Sequence, residues 1–409
     1  MDIKIKNALD ECIKNSGVSV SASMLENSVF NRGNLFSLQN VIKKAVFGNT
    51  IKICGFGGSI TEGVGKNSPP PAESGIADSL PCKSYFDNVC DFFENAFPCN
   101  VIRINSGISA TDTVFAIHRM YEDVISHKPD LTILEWCCND GMEFPYKQAT
   151  YEYMLREILK SGSAVIMLSM SDRNGNSSQA LHEPLSKLYD VPMLSFRDAY
   201  FGNTEYPYYI SDSVHPNKVG HMLAAILINS FIADAYNNIS KSCYCEKNVL
   251  PNPLNNECNY YKSPRILNLR DIYDKKTENA KILSLGSFKF EKDKYTFGFR
   301  SYDCLSSAVS SSYSPLIIEI NGISTLFLYI CRNSINLGSD FTVQVNGKQI
   351  RSNTFTCMHG TDNNQTEWSY AWATDKILFS NVDTDVVLKI LPTPKNNDAK
   401  IKLFSLLIS

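Results

Sequence analysis

The chain has 409 residues, 44% of them hydrophobic and 20% charged, with a formal net charge of −3; such a length predicts two or three domains. This balance leaves no electrostatic footprint for a nucleic acid or an anionic membrane surface, and no apolar run in the sequence reaches the ~18–20 residues that span a bilayer. Thirteen cysteines, several in apolar runs (Cys54, Cys137, Cys138), suit free buried thiols in a reducing compartment better than a disulfide framework. The first residues, MDIKIKNALDECIKNSGVSV, carry charges throughout and lack the apolar centre of a secretory signal. A cytoplasmic protein is therefore expected.

Residues 1–50 read as an N-terminal helical extension. In LFSLQNVIKKAVFG, Leu35, Leu38, Val41, Ile42 and Val46 recur at helical spacing, and Gly48 is a plausible stop. From residue 51 strands and helices alternate. Strands are predicted at 51–56, 100–105, 130–138, 163–170 and 191–196, with helices at 84–97, 113–127, 149–161, 178–189 and 217–236. Short apolar strands alternating with helices imply a parallel sheet covered on both faces, with ligands bound outside the carboxyl ends of the strands.

The first domain is thus expected over 51–238. Residues 239–265 lack periodicity and read as a linker. Its Cys243, Cys245 and Cys258 fall short of the four closely spaced ligands usual for zinc, so no metal is expected. Residues 266–409 are β-rich. Asn321-Gly322 and Asn346-Gly347 each stand between strand-like runs, where Asn-Gly favours the turn of an antiparallel hairpin. A β-sandwich or jelly roll is predicted.

The stretch GFGGSITEG (55–63) follows the first strand. A P-loop would need a lysine that is missing here, and a dinucleotide loop would need glycine where Ile60 stands. A sharp turn exposing Ser59 fits better. Serine needs a base to become nucleophilic. In SDSVHPN (211–217), Asp212 precedes His215 by three residues, close enough for the carboxylate to orient the imidazole, and Pro216 suits the first turn of the next helix. Donors for a developing oxyanion are also needed. Asn139 in LEWCCNDG follows the third strand and offers its amide, and the 105–113 turn after the second strand offers backbone N–H groups.

These segments resemble the SGNH (GDSL-like) hydrolase superfamily. GGSITEG looks like its serine block, CCND its asparagine block and DSVHP its histidine block, over roughly residues 50–236. The resemblance implies a flavodoxin-like α/β/α three-layer sandwich that hydrolyses or transfers acyl esters without a cofactor. Carried over, Ser59 is the nucleophile, His215 the base and Asp212 the orienting acid. The oxyanion donors are the Ser59 N–H, the Asn139 side chain and a third group. Where the family usually has its donor glycine this chain has Ala110, which serves if its φ is negative; Gly107 is the alternative.

An α/β domain followed by a β-sandwich is similar to bacterial carbohydrate acetylesterases. The expected partner is an acylated carbohydrate or another small ester. The rival readings are an O-acetyltransferase acting on sugar hydroxyls and a non-catalytic glycan-binding protein. Cys137 is expected to pack, Asp140 and Glu143 to cap the following turn, and His221 to sit in the core or cap a helix. Asp172 and Arg173 could touch substrate but read more simply as solvated loop residues. Trp368, Tyr370 and Trp372 alternate along one strand face and read as core or interface packing rather than sugar stacking.

Overall fold

The structure, a computed structural model, describes residues 2–141, 146–239, 249–292, 303–307, 313–333, 339–352, 358–359, 370–394 and 400–409. Two units divide the chain, Met1–Asn255 and Asn256–Ser409. The boundary lies inside the segment read as a linker, most of which belongs to the first unit.

In chain order the first unit contains α1 (Ile3–Ser16), α2 (Ala22–Ser28), β1 (Val29–Asn31), α3 (Phe36–Val46), β2 (Ile51–Gly57) and α4 (Ser59–Glu62). It continues with α5 (Tyr85–Ala96), β3 (Val101–Asn105), α6 (Thr113–Asp123), β4 (Leu131–Glu135) and α7 (Tyr146–Lys160). Then come β5 (Ala164–Ser169), α8 (Gln179–Tyr189), β6 (Met193–Ser195), α9 (Phe196–Tyr200) and α10 (Lys218–Asn237).

The six strands line up as β1-β6-β5-β4-β2-β3. All neighbouring pairs are parallel except β1 with β6. The five parallel strands thus follow the flavodoxin-like order, which reverses direction between β2 and β4. Ile51, Ile53, Leu131 and Ile133 on these two strands are fully buried, each side chain contributing about 1.5–3 kcal/mol. They join a core with residues of α1, α3, α5 and α10.

The N-terminal residues contribute to the sheet and its cover. Their short β1 hydrogen-bonds to β6 at the edge of the sheet, and α1 packs on α5 and α10. Three residues are too few to show a period, so the sequence does not reveal this strand. Helix α10 is long and apolar enough by composition to cross a membrane, but most of it is buried inside the unit. It starts at Lys218, capped by the Asn217 side chain, which accepts from the N–H groups of Val219 and Gly220. Pro216 lies one residue before the cap and bridges Ile210, rather than opening the helix as expected.

The second unit is antiparallel. Its strands are β7 (Arg265–Asn268), β8 (Ala280–Ser284), β9 (Phe288–Lys292), β10 (Asp303–Ser307) and β11 (Leu316–Asn333), with a short α11 (Leu269–Tyr273) between the first two. They are followed by β12 (Ser339–Val345), β13 (Lys348–Ser352), β14 (Met358–His359), β15 (Tyr370–Pro394) and β16 (Lys400–Ile408). Ile318, Ile320, Leu326, Leu328, Leu388 and Leu406 lie in its separate core.

Asn346-Gly347 joins β12 to β13 with both φ angles positive, 50° and 78°, as a two-residue hairpin turn requires. Asn321-Gly322 does something else. It sits inside β11, where the register with β15 shifts, and β11 keeps pairing with β15 on both sides. The sequence pattern of a bulge and of a hairpin is the same here. Glu143, Cys243, Cys245 and Trp368 lie outside the described residues, as do the side chains of Tyr370 and Trp372.

Candidate active site

Strand β2 delivers the chain into a turn that needs glycine at 57 and brings the backbone of Gly58 against the Asn139 side chain. A Cβ on Gly57 would stand 2.6 Å from the Glu135 carbonyl oxygen and 2.1 Å from Thr61 Oγ1, and one on Gly58 would stand 2.3 Å from Asn139 Oδ1. Both approaches are far inside van der Waals contact. Ser59 then opens α4 and is 8% exposed. At that helix end its own N–H donates to no described group.

His215 Nε2 lies 2.8 Å from Ser59 Oγ, and His215 Nδ1 lies 2.7 Å from Asp212 Oδ2. The other Asp212 oxygen accepts the backbone N–H groups of Val214 and His215, each at 2.7 Å. Burial pushes the Asp212 carboxyl upward, but the bonds from the His215 ring and these two N–H groups outweigh it and hold the group below the ordinary aspartate value. The loop is braced at its base. Ser211 donates its N–H and hydroxyl to the His215 carbonyl. Arg173 donates its N–H to Ser213 O and its guanidinium to Ile210 O. Arg173 is thus a brace for the loop, and Asp172 organises its own turn through the N–H groups of Asn174 and Asn176.

Asn139 follows β4 across the point where strand order reverses. Its N–H donates to Trp136 O, and its amide lies against Gly58. Asn139 Oδ1 is buried without a partner, and Nδ2 donates to no described group, so the side chain makes no Asx turn and its NH₂ is available.

In the turn after β3, which holds both Gly107 and Ala110, most N–H groups are already engaged. Ser106 donates to Gly55 O at 2.8 Å and Ile108 to Gly57 O at 3.1 Å. Gly107 donates to Asn105 Oδ1 at 3.0 Å, and Ser109 to Glu62 Oε2 at 2.7 Å. Ala110 is the first residue whose N–H donates to no described group. Gly107 is needed for another reason: a Cβ there would meet Glu62 N at 2.2 Å. Ala110 does not meet the condition of a negative φ: it sits at φ 59°, a left-handed conformation that costs an L-residue roughly 1–2 kcal/mol.

Sequence reasoning passed over most of this scaffold. Glu62, three residues after Ser59, accepts both the N–H and the hydroxyl of Ser109. Arg119 is buried and donates to Ser106 O and Gly57 O while pairing with Asp123. Asp140 helps cap α6, accepting from the Thr113 N–H and hydroxyl. Its other oxygen lies 3.2 Å from His182 Nε2, and His182 Nδ1 lies 3.2 Å from Cys137 Sγ. Burial lowers the His182 pKa, but the Cys137 sulfur and Asp140 overcome it and raise the ring to about 9.

Glu135, at the end of β4, is pushed by burial up to about 7 and accepts from Thr61, which also bonds Tyr85. His221 is a core histidine, as one of the expectations had it. It accepts the Tyr85 N–H and donates to Val64 O, and burial brings its pKa down to about 4.

No family model and no curated protein sequence matches the chain. Solved structures do. A two-domain esterase active on acetylated mannans is 23% identical, with a TM-score of 0.71 over 94% of this chain and 98% of that one. A structure of such an esterase co-crystallised with mannopentaose is 22% identical, with a TM-score of 0.70 over the same shares. The chain thus has the two-domain fold of that esterase, a mostly parallel α/β domain followed by an antiparallel β domain.

Proposed function

We propose that the chain is a serine esterase that removes short acyl groups, acetyl above all, from carbohydrates. One observation carries the reading: the relay from Ser59 Oγ through both nitrogens of His215 to Asp212, with steps of 2.8 and 2.7 Å. His215 takes the hydroxyl proton as Ser59 attacks the ester carbonyl. Asp212 holds the ring in the required tautomer and balances its charge. The oxyanion is met by the Ser59 N–H, the Asn139 amide and the Ala110 N–H; Ala110 is chosen in spite of its positive φ, because the Gly107 N–H is already given to Asn105. His215 returns the proton to the leaving alcohol, then activates water to release the acid.

The choice of acetylated carbohydrate is supported by the matching fold of the mannan esterase. Hydrolysis is favoured over transfer to a sugar because the Asp212 side chain is 52% exposed and that of His215 22% exposed, so water reaches the base. An intact relay argues against a purely glycan-binding role.

The test is hydrolysis of p-nitrophenyl acetate, with acetate release measured from acetylated mannan and xylan oligosaccharides. Ser59→Ala is expected to lose about 10⁴-fold or more in kcat. Activity that survives in Ser59→Ala overturns the mechanism, and a wild type active only on non-carbohydrate esters overturns the substrate class.

A further inference from the structure

Lys147, the second residue of α7, is a buried cation that this mechanism does not use; its side chain is 4% exposed. Leaving an ammonium out of water costs several kcal/mol unless it is well partnered. Its partners are specific. Nζ lies 3.1 Å from Asp112 Oδ2 and makes a longer hydrogen bond, 3.4 Å, to the main-chain carbonyl of Asn139. Asp112 is the N-cap of α6, accepting the Phe115 N–H, and stands two residues after Ala110. A single ammonium therefore joins the two segments that carry Ala110 and Asn139.

The geometry around Asn139 gives that link a use. Its N–H is fixed to Trp136 O, its side chain rests on Gly58, and Lys147 holds its carbonyl. The two peptides that flank the Asn139 Cα are thereby each anchored, and the side chain packs against Gly58. Next to it, Asp140 grips Thr113 at the start of α6. Burial alone would lower the Lys147 pKa, but Asp112 and Asp140 outweigh it and keep the group charged. We infer that Lys147 is a positioning residue for the oxyanion site, its ammonium setting the Asn139 peptide against the α6 N-terminus so that both donors face one point. The inference rests on the esterase reading.

The experiment compares Lys147→Met, Asn139→Ala and the double variant with p-nitrophenyl acetate. Thermal midpoints are recorded for each protein. A misplaced donor should lower kcat by about 10–100-fold while KM stays within about threefold. Inactivation by a p-nitrophenyl phosphonate, whose tetrahedral oxyanion needs the same donors, should slow by a similar factor. Because Lys147 acts through Asn139, the double variant should fall no more than about twofold below Asn139→Ala alone.

Lys147→Met also strips the cation from two carboxylates. Asp112→Asn/Lys147→Met removes the cation together with its nearest carboxylate, and the same kcat loss is expected there. Lys147→Gln, which keeps a donor for the Asn139 carbonyl, should recover part of it. Folded Lys147→Met with kcat within about twofold of wild type, or losses that multiply in the double variant, overturns the inference. If Ser59→Ala and Asn139→Ala lose activity while Lys147→Met does not, this inference alone has failed. If Ser59→Ala stays active, the esterase reading has failed first.

Discussion

The loop at 211–215 and the turn at 137–140 serve the same proposed reaction but are built in opposite ways. The loop is local. The Asp212 carboxylate bonds both the ring and the backbone N–H of His215, three residues on, and the Asp212 side chain is half exposed. The turn is assembled from afar. Cys137 and Asp140 meet His182 from α8, Asp140 grips Thr113 from α6, and Lys147 reaches the Asn139 carbonyl from α7, all among buried side chains. Proton transfer needs a base that touches water. A stationary donor set needs a rigid, dry mount, because a preorganised dipole loses its advantage when it must reorient.

The difference can be tested from its strongest consequence downwards. His215→Ala removes the base and should cost about 10⁴-fold or more in kcat on p-nitrophenyl acetate. Asp212→Ala should cost less, since the ring remains and water can reach it; equal losses would mean that the loop has no local tolerance. Asn139→Ala should cost about 10²–10³ in kcat, or about 2.7–4 kcal/mol, with KM little changed, measured by steady-state kinetics.

The mount should also betray itself in stability. His182 is raised from 6.5 to about 9 in the fold, so its contribution is fully present below 6.5 and is lost as pH climbs through 9. The melting temperature of wild type should therefore fall across that window more steeply than that of His182→Gln. Parallel curves would show that the buried ring carries no charge. The smallest effect is at Ala110. Ala110→Gly relieves the φ of 59° and should stabilise by about 1 kcal/mol in denaturant titrations.

The same contrast explains what could be read in advance. The strand–helix alternation from 51 to 236 follows from apolar periodicity, and the Asp212–His215 spacing is short enough to signal a local hydrogen bond. The 137–140 turn gave only Asn139, because His182 and Lys147 are 43 and 8 positions away from it and carry no pattern of their own. Glu62 lay inside the stretch quoted for Ser59 and still escaped notice, since its partner Ser109 is 47 residues on. For Ala110 the sequence supplied only a condition, a negative φ, and its left-handed backbone leaves no mark in a residue type that ordinarily avoids it. The strand β1 was lost for want of length, and Asn321-Gly322 for want of a difference between a bulge and a turn.

The contact between Gly58 and Asn139 has a consequence for how this chain can change. With 2.3 Å between a would-be Cβ and the Asn139 amide oxygen, the two positions are epistatic. A side chain introduced at 58 must displace the Asn139 amide, and shortening 139 first discards the proposed donor before any benefit at 58 can be collected. In a library that mutates one position at a time, the pair forms a fitness valley. Variants at 58 should be recovered only from libraries that randomise both codons together.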